Sequence, residues 1–163
     1  LYSSAASDVY KRQCMQRINL GKAAPELYKT VLELENLSIQ KVQQAGLEIG
    51  FSHLLKLRAS QINQCAFCVR MHTQDAMKAG ESIERIALIS AWQESGYFSE
   101  KERAALILIE EITLIAQQHF TDSAYQEAAR ILSDAEVSAI EWIAIVINTW
   151  NRIAISSQYA VNP

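Results

Sequence analysis

The chain has 163 residues, a formal net charge of −3 and 50% hydrophobic residues, which supplies a core for one compact domain and excludes wholesale disorder. With only 5 Gly and 2 Pro, it lacks the turn residues of a β-sandwich or barrel and reads as long helices with few connections. No Lys/Arg run exceeds two residues and no apolar stretch approaches the ~20 residues of a membrane span, so neither nucleic acid nor membrane is an expected partner and a soluble product is expected.

The segment before Met15, the first methionine, opens at Leu1 and holds a run of small residues from Ser3 to Ser7. Residues 1–14 are expected to be a leader foreign to the fold (a fusion scar, a translated adaptor or a misassigned start), with a single domain over 15–163. Pro25 suits a helix's first turn, and Leu27, Val31, Leu34, Leu37 and Val42 follow as a helical stripe that Gly46 ends in the left-handed region. A second helix carries Leu47, Phe51, Leu54, Leu55, Arg58 and Ile62. A turn at Asn63-Gln64 leads into a third, from the Cys pair to Ala79, closed by Gly80. A fourth runs from about Ser82 to Gln93. Ser99 with Glu102 makes a capping box before a long apolar helix through Leu106, Ile109, Ile112 and Ile115. Thr121 or Asp122 caps a shorter one to about Leu132. Ser133 with Glu136 opens the most hydrophobic helix, whose Val137, Ile140, Ile143, Ile147, Trp150 and Ile153 leave little polar face. No period-2 strand pattern or repeat is present. The expectation is an all-α helical bundle of six to eight helices.

Chemistry concentrates in Cys65-Ala66-Phe67-Cys68-Val69-Arg70-Met71-His72. The spacings 65 to 68 and 68 to 72 put both sulfurs and the imidazole on one helix face. With Asn63 or Gln64 as cap, both thiols fall in the first turn, where unpaired N–H groups and the macrodipole favour a thiolate. Three Cys are too few for a disulfide scaffold, and the C-x-x-C spacing reads as redox or metal chemistry in a reducing, cytoplasmic compartment. A thiolate, a second thiol in disulfide reach and a proton relay suffice to reduce a peroxide by way of a sulfenic acid, with no cofactor. If the second and third helices form a hairpin, His53, Leu57 and Ser60 share a flank, and His53 and His72 converge on the Cys pair. Ser60 would support by bonding either His, or else bond back to its own helix. Arg58 would pair with Glu110 or Glu111, and Trp92, Trp142 and Trp150 would lie in core or interface. His119 would sit at a helix C-terminus.

The run Leu55-Lys56-Leu57-Arg58-Ala59-Ser60-Gln61-Ile62-Asn63, the Cys pair, His72 and the helix end from Asp75-Ala76 to Ala79-Gly80 together resemble the carboxymuconolactone decarboxylase superfamily, in its alkyl hydroperoxidase D-like branch. The resemblance implies an all-helical fold forming homo-oligomers (dimers, trimers or hexamers), with Cys68 peroxidatic, Cys65 resolving and His72 relaying protons. It implies a small hydroperoxide as substrate and a dithiol or thiol protein as reductant. Two positions depart from the branch: His53 stands where it has Glu, and Phe67 where it has His. Two other readings of the Cys pair remain: a general thiol–disulfide oxidoreductase, and a non-catalytic oligomeric module sensing redox state or zinc, the latter through Cys65, Cys68, His53 and His72.

Overall fold

The computed structural model describes residues 17–162. The leader expected at 1–14 lies outside the described residues. Among the described residues eight α-helices follow one another: α1 (Leu20–Ala23), α2 (Pro25–Gln44), α3 (Ile49–Ile62), α4 (Ala66–Lys78), α5 (Ile83–Leu88), α6 (Glu100–Thr113), α7 (Asp122–Ile131) and α8 (Asp134–Ser156). A 3₁₀ helix over Ile89–Glu94 continues α5, kinked at Ala91, so the expected fourth helix is α-helical only in its first half. No strand occurs among the described residues.

Local signals account for most boundaries. Both expected capping boxes form, Ser99 with Glu102 and Ser133 with Glu136, and Thr121 caps α7. Four helices end in the same hydrogen-bond pattern, in which the residue after a left-handed one bonds back five positions. Gly46 (φ 73°) and Gly80 (φ 94°) occupy two of these left-handed positions, Gln64 (φ 57°) and Gln158 (φ 53°) the others. Two expected boundaries shift: α6 ends at Thr113, leaving Ile115 outside the helix and half-exposed, and His119 consequently lies in the α6–α7 loop, not at a helix terminus.

The centre of the bundle is α8, packed by α2, α3 and α6. Its Ile140, Ile143, Ala144 and Ile147 are buried in one core with Leu54, Leu57, Leu106 and Ile109. The burial is not complete around the helix. Trp142, Ile145 and Ile155 stand exposed on its outer side. Arg58 of α3 bonds Glu110 of α6 (Nε–Oε1 2.6 Å), and Trp92 Nε1 donates to the same oxygen at 2.8 Å. This fastens α3, α6 and the 3₁₀ helix at one carboxylate. Trp92 is buried in the core and Trp150 packs half-buried against it, as expected, whereas Trp142 lies outside the core.

Candidate active site

The α3–α4 hairpin builds the site. At the end of α3, the N–H of Gln64 bonds Gln61 O (3.1 Å) and that of Cys65 bonds Ser60 O (3.0 Å), with Gln64 held left-handed. Cys65 is thereby both the last residue of this turn and the N-cap of α4. The cap expected at Asn63 or Gln64 is corrected by one residue or two. Asn63 instead spends its side-chain amide on Asn148 (2.9 Å) and Asn151 (2.8 Å) of α8. Gln64 cannot cap in its left-handed conformation, because a cap residue is extended. Cys68 remains in the first turn, as expected, and both thiols are free and buried.

Cys65 makes no side-chain capping bond of regular geometry. Even so, the Cys68 thiol above all, then the backbone N–H groups of Cys68 and Phe67, outweigh burial and lower its pKa to about 7. Cys68 shifts the other way, raised by its bond to Cys65 and by burial, with the Asn151 amide partly opposing. The pair thus holds one proton between two sulfurs.

His53 from α3 and His72 from α4 meet Nδ1 to Nδ1 at 3.4 Å, rings tilted 31°. Burial drives the His72 pKa down to about 3, helped by Lys56 and His53, and burial lowers that of His53 as well. Both rings are therefore neutral at pH 7. His72 Nε2 is buried with no hydrogen-bond partner among the described residues. A carboxylate stands close by: ligand atoms of His53, His72 and Asp75 all lie within 4.8 Å of one another. Asp75 also accepts from Lys78 Nζ at 2.9 Å. Neither sulfur joins this group, so the Cys₂His₂ zinc set is not assembled in the structure.

A cavity of about 390 Å³ opens over these groups. Cys68, His72, His53 and Asp75 line one side, and Tyr28, Leu32, Ile39, Met71, Trp150 and Tyr159 make the rest largely apolar. Cys65 does not reach it. Lys56, almost fully buried, enters from α3 and pairs with Glu35 of α2, whose other oxygen accepts from Trp150 Nε1 at 3.1 Å. Of Ser60's two readings, the bond to its own helix holds: Ser60 Oγ donates to Lys56 O (2.7 Å), accepts from Asn151 (3.0 Å), and touches neither His.

Sequence reasoning did not find Asp75, Lys56, Glu35 or Asn151 as members of the site. Asp75 follows His72 by three residues and Lys56 follows His53 by three, so helical spacing was available as a signal for both. Glu35 and Asn151 arrive from remote helices and carry no local signal.

A model of the carboxymuconolactone decarboxylase family matches residues 25–111. An uncharacterised Bacillus subtilis protein, YdfG, is 37% identical over 141 residues, spanning 86% of this chain and 93% of that protein. A crystal structure of the Agrobacterium tumefaciens protein ATU0492, described as of unknown function and suggested there to be the antioxidant defence protein AhpD, superposes with a TM-score of 0.81. It is 43% identical, over 91% of this chain and 99% of that one. With more than half its length inside the family model and a full-length relative well above 30% identity, the chain belongs to the carboxymuconolactone decarboxylase family.

Proposed function

We propose that this protein is a thiol-dependent peroxidase that reduces small hydroperoxides through Cys68 and Cys65. The observation that carries the reading is a free, buried Cys pair at a helix start, with Cys68 of the two facing the cavity. The Agrobacterium neighbour's suggested role in antioxidant defence supports it.

In the resting pair, Cys65 is the thiolate and Cys68 the thiol. Cys68 passes its proton to Cys65 and attacks the distal peroxide oxygen. An S–O bond forms, the O–O bond breaks, and sulfur loses two electrons to give a sulfenic acid. The leaving alkoxide takes a proton drawn from solvent and relayed through the neutral imidazoles of His72 and His53. Cys65 gives its proton to the departing hydroxyl as its sulfur attacks that of Cys68, the S–S bond forms, and the hydroxyl leaves as water. An external dithiol or thiol protein then reduces the disulfide. Asp75 supplies, from another position, the negative charge that the branch's Glu would bring where His53 stands.

The reading extends to a cytoplasmic homo-oligomer, supported by the apolar Trp142, Ile145 and Ile155 exposed on α8. The decisive experiment is turnover of a hydroperoxide with dihydrolipoamide, thioredoxin or glutathione as donor. Activity lost in Cys68→Ser and in Cys65→Ser supports the proposal, and failure of every donor with cumene, tert-butyl and hydrogen peroxide rejects it. Disulfide exchange with a protein or lipoyl partner, without peroxide turnover, would favour the general oxidoreductase instead.

A further inference from the structure

We propose that His53, His72 and Asp75 form a binding site for a divalent transition metal of the zinc class, next to the thiols but independent of them. Two imidazole nitrogens bound to one tetrahedral zinc at ~2.05 Å stand about 3.3 Å apart. The two Nδ1 atoms are already 3.4 Å apart. That distance is longer than an ordinary N–H···N hydrogen bond, so mutual hydrogen bonding accounts poorly for the approach of the two rings.

His72 is 5% exposed, so its Nδ1 faces His53 in a largely water-free setting. A metal on the two Nδ1 atoms would engage that nitrogen and leave Nε2, on the far side of the ring, as it is.

The third donor comes at low structural cost. Asp75 lies one helical turn from His72 on α4, with its ligand atom within 4.8 Å of both imidazoles. Lys78 engages Oδ1, which leaves Oδ2 to turn inward. Of the cations nearby, Lys78 is paired with Asp75 itself and Lys56 with Glu35. Both imidazoles are held neutral near pH 7, the form that ligates. Two His and one carboxylate on rigid helices leave a coordination position for water or a small ligand, in the donor set of catalytic zinc or ferrous sites. Metal on these nitrogens would displace them from proton transfer. That consequence rests on the peroxidase reading, whereas binding itself does not.

The test is equilibrium dialysis of the reduced full-length chain, in a Cys14→Ser background, against Zn²⁺, with Co²⁺ visible absorption reporting ligand type. One ion per chain is expected, with a Co²⁺ spectrum lacking the strong thiolate-to-metal band. His53→Ala and Asp75→Asn, both at partly exposed positions, should each weaken binding by at least about 10-fold with unchanged far-UV circular dichroism. The double variant Cys65→Ser, Cys68→Ser should bind as the parent does. Absence of stoichiometric binding up to about 0.1 mM metal, or binding that survives His53→Ala and disappears with the thiols, overturns the proposal.

Discussion

Replacing Cys68 by Ala should raise the pKa of Cys65, because the largest influence lowering it is the Cys68 thiol. The native value of about 7 lies some two units below the 9.0 of an unperturbed thiol on the same scale. That depression is a preference for the thiolate, held above all by the neighbouring thiol. Without Cys68, burial continues to oppose ionisation and only the weaker backbone N–H contributions remain, so most of that preference disappears. At pH 7 the thiolate fraction should fall from roughly half to a few per cent. Thiolate absorbance near 240 nm, followed against pH in a Cys14→Ser background, measures this directly. The parent should show one sulfur titrating near 7 and the second not titrating in the accessible range. Cys68→Ala should move the first midpoint up by more than one unit, and Cys68→Ser, whose hydroxyl still donates, by less. If the midpoint stays near 7 in Cys68→Ala, the helix terminus and not the neighbouring thiol holds the charge, and the shared-proton account fails.

Other consequences concern stability and assembly. The folded pKa of His72 is depressed from 6.5 to about 3, so below pH 6.5 the unfolded chain binds a proton that the folded chain does not. Stability should therefore fall with decreasing pH by up to about 1.4 kcal/mol per unit between 6.5 and 3, and urea unfolding of His72→Phe should show a shallower acid limb. Arg58→Ala leaves the half-buried Glu110 with Trp92 as its remaining partner. It should cost about 2–3 kcal/mol by denaturant titration, and a loss under 0.5 kcal/mol would show the pair to be solvated. Trapping with a dimedone-type probe should label Cys68 in Cys65→Ser, and equally fast labelling of Cys65 in Cys68→Ser would reverse the two roles. Light scattering should give a mass that is a multiple of 18.3 kDa, reduced by Ile145→Glu. A folded monomer in the parent would refute assembly through α8.

The helical class, the capping boxes, the two glycine-terminated helices and the Arg58 pairing were all legible in the residues. Each rests on spacing along one chain: capping joins residues three apart, a left-handed glycine ends its own helix, and an arginine on an apolar stripe demands a carboxylate. The convergence of His53 with His72 was also legible, once a hairpin at Asn63-Gln64 was assumed, because such a turn aligns residues symmetrically about itself. The N-cap was not, since its position depends on Asn63 finding Asn148 and Asn151 on α8, more than eighty residues away. Nor could spacing reveal that both imidazoles sit beside Asp75, while Glu35 neutralises a buried Lys56. Those arrangements depend on how α2, α3, α4 and α8 cross, and the crossing is set by side-chain packing over the whole core. The sequence therefore identified which groups could do chemistry. Tertiary packing decided which sulfur faces the cavity and which charges surround the imidazoles, because burial and electrostatics sum over every neighbour in space, whatever its distance along the chain.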